Sequence, residues 1–144
     1  MSEPPAAPVV VTGHAGLGDP VRGVALVAKD GFSARYDLDR RAGRFSRASH
    51  ALAGRSYVGQ VLVLDRAKGG VASAWMLHEM KTRGLAPKAI LFNAANTILA
   101  QGAALADLTM CDRFADGDIT KLINTGDQLR IDPAGGLVTV LARA

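Results

Sequence analysis

At 144 residues the chain has room for one ordinary domain with its own core and is too short for two. Apolar residues make up 49% and aromatics only 5%, so that core must be built from Val, Leu, Ile and Ala, and a disordered chain is excluded. One cysteine and three scattered histidines (His14, His50, His78) exclude an intramolecular disulfide and any zinc or iron–sulfur site held by this chain alone.

No apolar run approaches the roughly 18 to 20 residues that span a bilayer. The opening MSEPPAAP lacks the basic start and apolar stretch of a secretory signal. Together with the lone Cys111, these features lead us to expect a cytoplasmic protein with no membrane contact. The net charge of +4 is unevenly placed: six arginines (Arg35, Arg40, Arg41, Arg44, Arg47, Arg55) stand against Asp37 and Asp39 between positions 35 and 55. Such a segment is a solvated surface, a subunit interface or a contact for an anionic substrate or an acidic partner face. Nucleic acid is not the expected partner, because stacking aromatics are sparse and no reader motif occurs.

In chain order, residues 1 to 8 read as a flexible tail ahead of a domain at 9 to 144, and VVVTG at 9 to 13 as a short strand closed by glycine. GHAGLG at 13 to 18 matches a dinucleotide fingerprint only loosely, and Asp19 and Pro20 follow where a helix should begin, so it reads as turns. RGVALVA at 22 to 28 is a second strand, and DRRAG at 39 to 43 a turn. QVLVLD at 60 to 65 is apolar on both faces, the pattern of a central buried strand.

From Val71 to Arg83 the period becomes helical: Ser73, Met76, Leu77 and Met80 share one face, Glu79 and Arg83 form an i, i+4 pair, and Gly84 ends the helix. His78 falls on the opposite, solvated face. KAILF at 88 to 92 is the next buried strand, which makes a strand, helix, strand unit with a right-handed crossover. Asn96 caps a second helix, TILAQGAALAD, whose Gly102 indicates close packing, and LTMCDRF at 108 to 114 returns as a strand. DQLRID, DPAGG and LVTVLA then form a terminal hairpin. The expectation is an α/β domain of seven or eight strands and two main helices.

Chemistry is expected at the corner KGGVAS, 68 to 73. A helix that starts near Val71 would aim free N–H groups and its positive dipole end at Lys68, Gly69 and Gly70, where two glycines allow close backbone approach by an anion. Ser73 would add a hydroxyl. The alternative is a tight turn, with Ser73 a helix-start residue. The order GxxxxGK[ST] of a Walker loop is absent. Asn93, Asn96 and Thr97 sit at a second strand-to-helix corner on the same sheet edge, and two such corners would make a cleft, although caps and turns explain the amides equally well.

GRSYVGQVLVLDRAKGG at 54 to 70, the helix after it, APKAILFNAANTILAQGAALAD at 86 to 107 and SHALAGRS at 49 to 56 resemble, at matching spacing, the swivel domain of the aconitase X family. The resemblance implies a swivelling β/β/α domain, a mixed sheet or barrel-like form with two main helices. It further implies a small subunit that closes over a large catalytic partner in a heterodimer carrying an iron–sulfur cluster, with no cofactor on this chain. The substrate implied is a small hydroxy acid, such as cis-3-hydroxy-L-proline or mevalonate 5-phosphate, and the reaction a dehydration. In aconitase-like enzymes a swivel-domain serine takes the proton while iron in the partner accepts the hydroxyl.

The family's corner reads like RGSSTGS; aligning its glycine with Gly69 puts Gly70 at the first serine and leaves Ser73 as the nearby hydroxyl and candidate base. Lys68, Gly69, Gly70, His50, Asn93 and Asn96 are the candidate substrate contacts; His50 lies on the family's HPL-like segment, where a lone histidine in a basic loop is otherwise a surface or interface residue. GGVASAWML also resembles the loop of swivelling phosphohistidine domains, but Ala74 stands at the histidine position, which excludes that chemistry. A non-catalytic regulatory or assembly subunit of the same fold remains the alternative, and a larger partner bound through segment 35 to 55 or the apolar surface around it is expected.

Overall fold

The structure is a computed structural model that describes residues 9–33, 37–68 and 71–144. The tail at 1 to 8, Arg35, Gly69 and Gly70 therefore lie outside the described residues. The strands are β1 (Val9–Thr12), β2 (Val21–Val27), β3 (Leu38–Asp39), β4 (Arg44–Phe45), β5 (Val61–Arg66), β6 (Ala89–Ala94), β7 (Thr109–Cys111), β8 (Gln128–Asp132) and β9 (Leu137–Ala142). The helices are α1 (Val71–Thr82), α2 (Thr97–Leu105) and a single turn α3 (Ile119–Leu122). This exceeds the expected count by the ribbon β3–β4 and by α3. The ribbon strands are two residues each, too short for an alternation pattern, and flank the expected turn DRRAG.

Seven strands form one sheet in the order β1-β9-β8-β2-β5-β6-β7. The pairs from β1 to β2 are antiparallel and those from β2 to β7 parallel. Each parallel connection from β5 onward carries a helix: β5-α1-β6 and β6-α2-β7. β5, β6 and β7 are buried on both faces, and the alternation assigns each residue to a layer. Val61, Val63, Ala89, Leu91 and Cys111 join Val11, Leu129, Ile131, Val138 and Val140 in one cluster. Leu62, Leu64, Ile90, Phe92 and Met110 join α1 and α2 residues Leu77, Met80, Leu99 and Ala103 in the other.

The first cluster is the inside of a barrel-like form, because residues after β1 return to the far edge of the sheet. Leu17 exchanges backbone hydrogen bonds with Met110 of β7 (2.9 and 3.0 Å), His14 N–H donates to Asp112 O (3.1 Å) and Ala115 N–H to Thr12 O (2.9 Å). The GHAGLG stretch is thus the seam of the barrel and not only a turn. Gly16 is required there: a Cβ would collide with Met110 O and stand 2.6 Å from Cys111 Sγ. Gly102 permits the close approach of α1 and α2, since its Cβ would lie 2.6 Å from Ala74 Cα. Among the described residues no helix is long and apolar enough to cross a membrane.

Between β2 and β5 the chain leaves the sheet for an excursion over the α1 side. Phe32 and Ala67 form a parallel bridge that carries the end of β2 alongside the end of β5, and Lys68 N–H donates to Phe32 O (2.7 Å). The excursion then makes the β3–β4 ribbon, which packs Phe45 edge-on against Tyr57 with centroids 6.1 Å apart, and returns along SHALAGRS. It brings Gly31, Asp37, Arg47 and His50 to the corner before α1.

Candidate functional site

A cavity of about 100 Å³ opens at the β5–α1 corner, lined by Asp30, Gly31, Asp37, Arg47, His50 and Lys68, with Ser49 at its rim. Each polar group in its wall has a local cause. Asp37 is 1% exposed and survives there because its carboxylate accepts Ser33 N–H at 2.8 Å and Arg47 Nη1 at 3.2 Å, a buried charge that is both paired and hydrogen-bonded. His50, 7% exposed, stacks on Phe45 with ring centroids 4.7 Å apart. Leu52 N–H donates to its Nδ1 and its Nε2–H donates to Gly31 O, both at 3.0 Å, which fixes the Nε2–H tautomer. Asp30 accepts Ala51 N–H at 2.6 Å and lies 3.8 Å from His50 Nδ1.

Lys68 lies across Gly31, where a Cβ would stand 2.9 Å from Lys68 Cδ. No φ in the left-handed region requires glycine at 31; its bare backbone gives the lysine stem room to lie there. Its ammonium makes no hydrogen bond or ion pair among the described residues.

The expected site residues separate into three groups. Lys68 and His50 meet in the cavity; His50 is a packed, doubly hydrogen-bonded ring and not a surface residue, because Phe45 and the backbone of residues 31 and 52 enclose it. Ser73 is 1% exposed, and its Oγ lies 3.3 Å from Ser33 Oγ. It shares the core-facing side of α1 with Leu77 and Met80, so the same spacing that announced the helix turns the hydroxyl inward. Asn93 and Asn96 do not line this cavity. Asn93 Nδ2 donates to Asp65 (3.0 Å) and Asp118 (2.7 Å), and its Oδ1 accepts Ile119 N–H (2.8 Å), which secures the start of α3. Asn96 caps α2 by accepting Leu99 N–H at 2.7 Å and lines a separate cavity of about 320 Å³ with Leu17, Thr97, Met110 and Arg113. The two corners therefore hold two cavities where one cleft was expected.

Ser33, Asp37 and Arg47 were missed as site residues. Their only signal was Asp37 inside an arginine-rich stretch, and charge density says nothing about which charge is buried.

Elsewhere the titrating groups are structural. Burial pushes the Cys111 thiol up to about 12, aided by Asp112 and Asp132, so it offers no thiolate. Among the described residues no three His, Cys, Asp or Glu side chains converge on a point that could hold a metal ion. The donor set does not suit an iron–sulfur cluster, which takes thiolates. Hydrogen bonds from Thr120 and Asn93 hold the Asp118 carboxyl below the usual carboxylate range.

A mixed seven-strand sheet joined into a barrel, two helices on one outer face and a polar cavity at a strand-to-helix corner define a swivel-type β/β/α domain. The aconitase X swivel domain matches residues 10–140, and the chain belongs to that family. The phosphomevalonate dehydratase small subunit of Methanocella arvoryzae is 30% identical over 128 residues, 89% of this chain and 96% of that protein. Its counterpart in Thermococcus kodakarensis is 32% identical over 125 residues, 87% and 91% of the two chains. The crystal structure of Thermococcus kodakaraensis aconitase X in its holo-form superposes with a TM-score of 0.85 at 28% identity, covering 92% of this chain and 98% of that one.

Proposed function

We infer that this chain is the small, swivel subunit of an aconitase X-type dehydratase whose substrate is mevalonate 5-phosphate, and that it turns over only when joined to a large subunit. One observation carries this: the similarity to phosphomevalonate dehydratase small subunits runs through nearly the whole of both chains. Dehydration of such an acid removes a proton from the carbon beside the carboxylate and hydroxide from the next carbon. It therefore needs a base, a holder for the anionic groups and an acceptor for the hydroxyl.

This chain supplies the holder, a polar corner with Lys68 and Arg47. The acceptor belongs to the large subunit, where an iron–sulfur cluster would supply Lewis-acid chemistry. Ser73, the sequence candidate for the base, is assigned a positioning role: it ties the first turn of α1 to Ser33 and through it to Asp37. The Asn93 and Asn96 amides secure helix starts. The chain closes the reaction space from its polar side and leaves proton removal to groups it meets on assembly.

The assembly-subunit alternative is favoured by the same inward placement of Ser73. A hydroxyproline substrate is favoured by Asp30, a partly exposed carboxylate in the cavity wall that suits an acid also carrying an ammonium group. The deciding experiment reconstitutes the chain with the large subunit encoded beside it and follows water loss from mevalonate 5-phosphate and from cis-3-hydroxy-L-proline. Turnover of the first alone is expected, with neither subunit active by itself. Turnover of the second would reassign the substrate, and a large subunit fully active without this chain would leave assembly as its role. Ser73→Ala should keep kcat within a few-fold; a loss of the roughly 100-fold that a positioned base supplies would restore Ser73 as the base.

A further inference from the structure

We propose that Lys68 and Arg47 form a subsite for an oxyanion of the substrate, either phosphate or carboxylate, and that Gly31 and Asp37 position these two cations. The assignment of the oxyanion to a substrate rests on the dehydratase reading above; its binding does not.

Four charged side chains line the cavity, and they are not equivalent. The two carboxylates are occupied from within the chain: Asp37 by Ser33 N–H and Arg47, Asp30 by Ala51 N–H. Arg47 is half-exposed while its partner is 2% exposed, so one corner of the guanidinium is anchored and its other donors stay in the wet cavity. Lys68 has no such partner among the described residues, and its position is set by contact, because its aliphatic stem lies on the bare backbone of Gly31. An anchored guanidinium and an unpaired ammonium facing one small cavity bind an oxyanion through charge-assisted hydrogen bonds. The Asp37–Arg47 pair is neutral overall, which leaves Lys68 to attract the ligand and the partly exposed Asp30 to oppose it. Two separate consequences follow: removing the ammonium weakens binding, and removing the Asp30 charge strengthens it.

The experiment is a backbone-amide NMR titration of the whole chain with inorganic phosphate and, separately, with acetate. Saturable shifts confined to residues 30–31, 47–50 and 68 are expected, tighter for phosphate if that group is the ligand and for acetate if the carboxylate is. Lys68→Met should raise the dissociation constant about tenfold, the loss of one charged hydrogen bond. Asp30→Asn should lower it. Gly31→Ala should raise it several-fold with unchanged amide shifts in the barrel, since the added methyl displaces only a flexible lysine end.

The subsite is overturned if neither anion gives saturable shifts, or if Lys68→Met binds as the unaltered chain does. Tight binding retained by Gly31→Ala would overturn the positioning role alone. In the assembled enzyme the expected result is a raised KM with kcat nearly kept for Lys68→Met. Anion binding by a chain whose complex turns over nothing would overturn the dehydratase reading and leave the subsite standing, whereas a complex that turns over but ignores Lys68→Met would overturn the subsite.

Discussion

The barrel interior and the excursion between β2 and β5 are held by opposite means. Inside the barrel the buried surface is Val, Leu, Ile and Ala with Cys111 and Phe114, contributed mainly by strands whose backbones are already paired in the sheet, with Phe114, Ile119 and Ile123 added from the connection between β7 and β8. Among the described residues the excursion has one two-strand ribbon and otherwise irregular backbone, and beside the apolar Phe32, Leu38, Phe45, Leu52 and Tyr57 it buries Ser33, Asp37 and His50; the last two bond to backbone, and Ser33 Oγ lies 3.3 Å from Ser73 Oγ. Irregular chain carries N–H and C=O groups that no ladder satisfies, so some polar side chains must be buried beside the apolar ones to meet them. The excursion contributes Asp30, Asp37 and Arg47 to the cavity at the corner before α1.

If that contrast is right, the largest loss follows from a hole in the barrel. Ile131→Ala, at a fully buried β8 position, should cost about 2 to 5 kcal/mol in urea unfolding with no selective loosening of the excursion. A smaller and local effect is expected from Asp37→Asn, which removes the charge that anchors Arg47 and should cost about 1 to 3 kcal/mol. Amide exchange should rise in β3, β4 and residues 46–52 while β5 and β6 stay protected. Equal loosening of both regions would erase the distinction.

Acid should separate the regions in the other direction. Asp127 sits at the barrel end, fully buried, with burial pushing its carboxyl up; hydrogen bonds from Asn124 and Ala144 N–H and from Arg143 outweigh this and hold it below the usual range. Its folded form therefore binds protons less readily than its unfolded form. The stability it contributes is complete above about pH 4, the ordinary carboxylate value, and is lost as pH falls through the lower folded one. Asp127→Asn should flatten that acid limb of the unfolding midpoint. The smallest effect is expected at Tyr57, whose buried hydroxyl has no hydrogen-bond partner among the described residues and whose pKa burial pushes up. Tyr57→Phe should change stability by less than about 0.5 kcal/mol or raise it, and a loss above 1 kcal/mol would reveal a bond for that hydroxyl.

The same contrast explains what could be read from the amino-acid order. β5, α1, β6, α2 and the terminal hairpin announced themselves because burial there follows the period of the element, as in Leu62, Leu64, Ile90 and Phe92 against Val61, Val63, Ala89 and Leu91. Asn96 was legible as a cap because the cap is local. The candidate site was only half legible. Lys68 is next to a glycine-rich corner, but its resting place on Gly31 depends on a contact across 37 positions of chain. Ser73 was expected to offer its hydroxyl to a ligand, and its place on the apolar face of α1 turns that hydroxyl inward in this chain. Asp37 looked like one more surface charge until the ribbon folded over it.

The seam at Gly13 to Leu17 bears on how such a subunit can be recruited. A sheet normally ends in two strands with bare donors and acceptors, and other chains can add to them. Here the ends at β1 and β7 are stitched to each other through Leu17, His14 and Ala115, so the sheet has no backbone to offer a visitor along that line. There recognition is left to side chains, and a sequence that keeps the barrel can change its associate by altering exposed residues of its loops and helices.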